Sequence, residues 1–246
     1  MYLPFLSIVI PAHNEEKRLP PSLVKIQNFL ATQPYSAEVV IVENGSQDQT
    51  LEIAKESARQ VPYIRVLKEE KRGKGLAVRR GMLEARGEYR FICDADLSMP
   101  IEQVNRFLPP ALAKPDVVIG SREIAGAVRY NEPVYRHLIG RVFKTLVRWA
   151  ALPGLQDTQC GFKCFHRVAA EDVFCRQTFP GMSFDVEALF IARRLGYKIQ
   201  EVPIDWYFDP DSRVRLVQDS LRMFVDLMTI RRNAARGQYD SPVQSC

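Results

Sequence analysis

Two carboxylates one residue apart, Asp94 and Asp96, follow the β-type run Tyr89-Arg-Phe-Ile-Cys93. Hard oxygens at that spacing can share a Mg²⁺ or Mn²⁺ ion while phosphate oxygens complete its shell. A pair of solvated loop acids ahead of Pro100 is the plainer alternative. Pro11-Ala-His-Asn-Glu15 ends another apolar run. Pro11 stops sheet pairing there, and Glu15 can accept hydrogen bonds from ribose hydroxyls or act only as a first-turn acid on a helix. Glu43-Asn44-Gly-Ser-Gln-Asp48-Gln-Thr50 offers Glu43 to a base or ribose, with Asp48 and Thr50 as helix-start residues. Arg72-Gly-Lys74-Gly75 sets a lysine between glycines before a helical stretch, which suits phosphate contact. Its spacing is not that of a P-loop, and a glycine turn would read the same way.

These junctions need a scaffold that brings them together. The first half of the chain alternates strand-sized runs (Leu6–Ile10, Ala37–Val42, Tyr63–Leu67, Tyr89–Cys93, Asp116–Gly120) with helical stretches near Glu16–Leu30, Thr50–Arg59, Lys74–Ala85 and Ile101–Ala113. Such alternation predicts an α/β fold: a mostly parallel, twisted sheet with helices on both faces. In that architecture ligands bind beyond the carboxyl ends of the strands, where strand order reverses. Every polar junction named above falls at a strand's carboxyl end or at the start of the next helix, as does Ser121-Arg122. The second half predicts a basic amphipathic segment at Val134–Leu152, a polar turn at Asp157–Lys163, a helix at Phe184–Leu195 and a β run at Lys198–Ile204. A last amphipathic helix covers about Leu216–Arg231. We expect one domain over 1–232, with a nucleotide-sugar half at 1–125 and an acceptor or membrane-proximal half at 126–232. A polar tail follows at 233–246.

With 246 residues the chain can bury a substantial core. Its net charge of +5 suits an anionic partner such as phosphate or acidic lipid. No nucleic-acid motif is present, so no nucleic-acid partner is expected. Five cysteines without paired CxxC knuckles predict buried thiols in a reducing, cytoplasmic setting. In the basic segment Arg136, Arg141, Lys144 and Arg148 would each cost roughly 2.5–3.5 kcal/mol at a bilayer centre. Membrane contact is therefore expected to be peripheral, at the cytoplasmic face, or the segment is a core helix with a solvated charged face.

Taken in order, Pro-Ala-x-Asn-Glu at 11–15, Asn-Gly-Ser-x-Asp-x-Thr at 44–50, Arg-Gly-Lys-Gly at 72–75 and Asp-Ala-Asp at 94–96 resemble the inverting family-2 glycosyltransferases with the GT-A fold. Gly120-Ser-Arg122, Asp157-Thr-Gln-Cys-Gly-Phe-Lys163, Phe184-Asp-Val-Glu187 and the stretch from Trp206 to Arg213 are similar to dolichyl-phosphate β-glucosyltransferases and their polyprenyl-phosphate relatives. That resemblance implies transfer of a hexose, glucose from UDP-glucose ahead of mannose from GDP-mannose, onto a lipid-linked phosphate. By motif, it implies nucleotide-sugar contacts at Pro11, His13, Glu15, Glu43, Asn44, Lys74, Asp94 and Ala95, and a metal held by Asp94, Asp96 and Ser98. His13 stands where tyrosine is usual, Glu43-Asn44 where paired aspartates are common, and Arg213 where lysine is typical.

A lipid phosphate needs no general base, since a phosphate monoester's second ionisation lies near pH 6. The harder task is to hold two anions together. Asp96 is expected to act through its cation, while Arg122 and Arg213 offset charge on the two phosphate groups. Arg129 and Arg136 are candidates to grip the acceptor. The resemblance implies that Asp157 lies near the sugar or acceptor, as an orienting acid or a base; a cap on Thr158 and Gln159 is the plainer alternative. Three other readings compete. A Rossmann dehydrogenase would carry GxGxxG after the first strand, and none is there. A phosphatase using Asp-x-Asp normally carries the motif on its first core strand, whereas three βα units precede it here. A non-catalytic docking module has no use for two acids at the sheet's switch point. Oligomeric state is not legible.

Overall fold

The structure is a computed structural model that describes residues 3–133, 152–209 and 216–240. The basic segment at 134–151, with Arg136, and Arg213 lie outside the described residues. Seven strands form the main sheet: β1 (Leu6–Ala12), β2 (Ala37–Glu43), β3 (Ile64–Lys68), β4 (Tyr89–Ile92), β5 (Val117–Ser121), β7 (Lys163–His166) and β8 (Ile199–Pro203). Their order is β3-β2-β1-β4-β7-β5-β8, and β7 alone runs antiparallel to its neighbours. Strand order turns back between β1 and β4, so the switch point falls where sequence alternation predicts it. Strands β6 (Val128–Tyr130) and β9 (Asp205–Tyr207) pair as a small parallel sheet.

Strand residues alternate between two apolar layers. Val9, Val40, Val42 and Ile119 face one, while Ile8, Ile10, Val39, Ile41 and Val118 face the other. The first layer is closed by α3 (Lys74–Glu84), α4 (Arg167–Arg176), α5 (Phe184–Arg194) and the C-terminal part of α6 (Leu216–Ala235). The second is closed by α1 (Leu19–Ala31), α2 (Thr50–Gln60) and a 3₁₀ helix at Ile101–Phe107. Helix α1 accepts Pro20 in its first turn, where an absent N–H needs no partner, and buries Leu19, Leu23, Ile26 and Phe29 on one stripe.

Three features depart from the sequence reading. The helix expected over Ile101–Ala113 stops at Phe107, because Pro109 and Pro110 supply no N–H and disfavour helical backbone before them. Strand β7 and helix α4 follow the polar turn expected at Asp157–Lys163, in a stretch where the sequence pattern predicts no element, and β7 inserts between β4 and β5, so the sheet joins strands from both sides of residue 125. The chain past Asn233 stays packed as far as Tyr239, which is fully buried, with its hydroxyl donating to Glu187 Oε1 at 2.8 Å. Cys93, Cys160 and Cys164 are free and buried as expected, whereas Cys175 is disulfide-bonded. Among the described residues no helix is long and apolar enough to cross a membrane.

Candidate active site

A cavity of about 440 Å³ opens over the carboxyl ends of β1 and β4. Its wall includes Pro11, His13, Glu15 and Asn44 from the first two junctions and Lys74 from α3. Asp94, Ala95, Asp96 and Ser98 line it after β4, and Arg122 lines it after β5. The fold thus brings ten of the candidate residues onto one surface. Glu43, Asp157 and Arg129 stand outside that wall.

The β1 and β2 junctions are sewn to each other. Asn14 N–H donates to Ser46 Oγ at 3.1 Å, Glu15 N–H to Thr50 Oγ1 at 2.7 Å and Glu16 N–H to Asp48 Oδ2 at 3.2 Å. In return Gln47 N–H donates to Asn14 Oδ1 at 2.8 Å. The Asn-Gly-Ser-x-Asp-x-Thr run therefore fixes the backbone of the Asn14–Glu16 turn. Glu43 is buried behind this turn and accepts the Ser46 N–H. Asn44 receives Gly73 N–H at 2.7 Å and donates to the Lys71 carbonyl at 2.6 Å, while its own carbonyl accepts His13 Nδ1–H at 2.8 Å. Glu15 is gripped through both oxygens by Arg18, at 2.6 and 2.7 Å, and Arg18 also reaches Asp209 at 3.1 Å. The Glu15–Arg18 spacing of three residues was a local signal for that pair; nothing local points to Asp209.

Around the carboxylate pair the electrostatics are uneven. Burial pushes Asp94 up, but the ammonium of Lys74, 2.6 Å from its Oδ1, more than offsets this and holds it below the usual carboxylate range. Burial and the neighbouring Asp94 charge push Asp96 up, against a hydrogen bond from Ser98 N–H at 2.9 Å. Leu97, between them, sits at φ 47°, a strained conformation for a leucine that turns the loop back toward the cavity. Ser22 Oγ holds the Ala95 carbonyl at 2.7 Å.

Gly161 packs directly against the Asp94 carboxylate. A Cβ at this position would lie 2.2 Å from Asp94 Oδ2. Gly75 is packed as closely, since a Cβ there would meet the Phe179 carbonyl at 2.4 Å; its N–H bonds the Pro180 carbonyl at 2.8 Å. The Arg-Gly-Lys-Gly turn is thereby locked to the loop before α5. On the cavity floor Asp185 pairs with the fully buried Lys163 at 2.6 Å. No role was assigned to either residue from the sequence, and a pair 22 positions apart leaves no local trace.

Arg122 follows β5 and is held by Asp157 through both carboxylate oxygens, Nε–Oδ2 at 2.6 Å and Nη2–Oδ1 at 2.9 Å. Glu201 on β8 in turn accepts the N–H groups of Gln156 and Asp157 at 2.8 and 3.0 Å. The Arg122 guanidinium lies 5.4 Å from the ring centre of Trp206, and Arg129 lies 5.9 Å from it. Arg129 also pairs with Glu123 and with Glu132.

Among the described residues no group of three or more His, Cys, Asp or Glu side chains converges as a metal cage. Two carboxylates at one loop still fit an ion such as Mg²⁺, which keeps waters and phosphate oxygens in its shell. Burial first, and the Asp94 charge second, disfavour the ionised form of Asp96, and a cation between the two acids would offset both.

Glycosyl transferase family 2 matches over residues 7–174. Similar curated proteins include the dolichyl-phosphate β-glucosyltransferases of Saccharomyces cerevisiae, at 36% identity covering 96% of this chain and 76% of that protein, and of Homo sapiens, at 32% covering 95% and 77%. Among solved structures, glucosyl-3-phosphoglycerate synthase of Mycobacterium tuberculosis with Mn²⁺, UDP-glucose and phosphoglyceric acid is similar at a TM-score of 0.63 and 18% identity, covering 98% of this chain and 82% of that one. The same enzyme with Mg²⁺ and UDP also gives 0.63, at 19% identity over 98% and 81%. That likeness concerns the fold.

Proposed function

The chain belongs to glycosyl transferase family 2, and on that premise we propose that it transfers glucose from UDP-glucose, with inversion, onto a dolichyl-type polyprenyl phosphate. The observation that carries the reading is that Asp94, Asp96, Lys74 and Arg122 line one cavity beyond β4 and β5. Two acids and two cations of that kind suit a diphosphate leaving group accompanied by a divalent ion. The names of the curated relatives support glucose and dolichyl phosphate.

An oxygen of the acceptor phosphate attacks the anomeric carbon as the bond to the diphosphate breaks, and that electron pair leaves on UDP. The attacking dianion carries no proton to remove, so the step needs no base. Asp94, Asp96 and the Ser98 turn would hold a Mg²⁺ or Mn²⁺ ion, which as a Lewis acid offsets charge on the leaving group. Arg122 contributes a fixed positive charge because Asp157 and the ring of Trp206 leave its guanidinium little freedom. Asp157, with both oxygens committed to Arg122, orients that cation. The Asn14–Glu16 turn and Asn44 frame the nucleotide end. Arg129, 5.9 Å from the Trp206 ring centre, is the candidate to meet the acceptor phosphate, and the lipid acceptor sets the work at a membrane surface.

Purified protein with Mn²⁺ is expected to be stabilised by UDP and UDP-glucose, by about 2.7 kcal/mol at 100 times Kd. It is also expected to form a glucosyl lipid from dolichyl phosphate. Stabilisation confined to GDP and GDP-mannose would move the reading to mannose transfer, and an absence of both stabilisation and product would overturn it.

A further inference from the structure

We propose that Lys74 is a resident counter-ion of Asp94 that makes cation capture conditional on the donor's diphosphate. The inference rests on the reading that Asp94 and Asp96 hold a divalent ion. Lys74 Nζ lies 2.6 Å from Asp94 Oδ1, with both side chains about one quarter exposed to the cavity. The backbone on either side of it is fixed, Gly73 N–H to Asn44 Oδ1 at 2.7 Å and Gly75 N–H to the Pro180 carbonyl at 2.8 Å. Motion at this point therefore belongs to the lysine side chain.

The ammonium contacts Asp94 and shares the cavity wall with two more carboxylates, Asp185 and Asp96. Asp185 already has Lys163 at 2.6 Å, and Asp94 has Lys74. Among the described residues, no Lys or Arg lies within ion-pair distance of Asp96. Two of the three acids are thus neutralised by the protein's own lysines. A divalent ion arriving alone at Asp94 and Asp96 would stand beside the ammonium in a partly dry cavity, where like charges repel strongly. When the ion arrives with a diphosphate, the ammonium gains new acceptor oxygens and can leave Asp94 without losing a partner. Lys74 therefore links the two ligands: each binds better when the other is present, by the same factor in both directions. After transfer, departure of UDP lets Lys74 return to Asp94, which helps expel the ion and resets the site.

The test measures Mn²⁺ affinity by electron paramagnetic resonance on wild type, Lys74→Met and Lys74→Arg, each without nucleotide and with saturating UDP. Thermal melts confirm folding, and Lys74→Gln replaces the methionine variant if that one fails to fold. In Lys74→Met, Mn²⁺ alone is expected to bind about 10-fold more tightly than in wild type, within the usual range of coupling between sites. The tightening caused by UDP should shrink by a similar factor, and Lys74→Arg should stay near wild type in nucleotide-free Mn²⁺ affinity. Unchanged or weaker nucleotide-free Mn²⁺ binding in folded Lys74→Met, with wild type binding Mn²⁺ and UDP together, would overturn the linkage alone. Failure of every form to bind Mn²⁺, even with UDP, would overturn the metal reading and this inference with it.

Discussion

Asp157 holds Arg122 by both carboxylate oxygens and also accepts the Arg122 backbone N–H at 3.1 Å, so one buried acid fixes both ends of that residue. Asparagine in its place keeps the shape but removes the charge and one acceptor oxygen. Asp157→Asn is expected to lower kcat by ~100-fold, the scale seen when a preorganised charge-stabilising donor is lost. It should also destabilise the fold by about 3 kcal/mol, because a buried guanidinium loses its counter-charge. The residual rate should still rise with pH through about 6, following the acceptor's second ionisation. Loss of that rise would show that Asp157 takes a proton. Initial rates across pH, with a denaturation curve, make the measurement.

A Cβ at Gly161 would lie 2.2 Å from Asp94 Oδ2 and 3.3 Å from Met99 Cε. Gly161→Ala would drive a methyl into that carboxylate and displace it from the Asp96 side of the cavity. Overpacking of this kind costs about 1–3 kcal/mol, and Mn²⁺-dependent UDP binding should weaken by far more than the fold does. Titration calorimetry beside a thermal melt separates the two effects.

Asp48 ties the start of α2 to the Glu16 turn, accepting Thr50 N–H at 3.0 Å and Glu16 N–H at 3.2 Å. Burial pushes its carboxyl up, but hydrogen bonds from Thr50 and Glu16 outweigh this and hold it below the ordinary range. Folding therefore favours the ionised form. The resulting stability is fully present above the ordinary aspartate value of about 4 and is lost as pH falls through the lowered folded value. Asp48→Ala should cost about 1 kcal/mol at pH 7, with the difference from wild type shrinking in strong acid. Urea melts at the two pH values check the sign.

Tyr239 is buried with its hydroxyl on Glu187, which also accepts the N–H groups of Thr178 and Phe179 from the loop that grips Gly75. Tyr239→Phe should cost about 1 kcal/mol for one buried hydrogen bond, and Tyr239→Ala about 3–5 kcal/mol for the cavity. Equilibrium unfolding of both variants tests whether the C-terminal turn belongs to the core.

The alternation of strands and helices is legible in the chain itself, as is the sheet edge where the cavity carries Asp94 and Asp96. These rest on local signals: apolar runs of strand length, period-3.6 stripes, and polar residues clustered at strand ends. The antiparallel β7 escaped because it has four residues and opens with Lys163, a charge that no pattern assigns to a buried sheet position until Asp185 is seen beside it. Tyr239 escaped because the residues around it are polar, and its burial depends on a pocket built by α5. Which cation serves which acid is visible only in the folded chain. Lys74 to Asp94, Lys163 to Asp185 and Arg122 to Asp157 span 20, 22 and 35 positions. Ion pairs at those separations are set by the sheet's strand order, and Coulomb attraction acts through space without regard to distance along the chain.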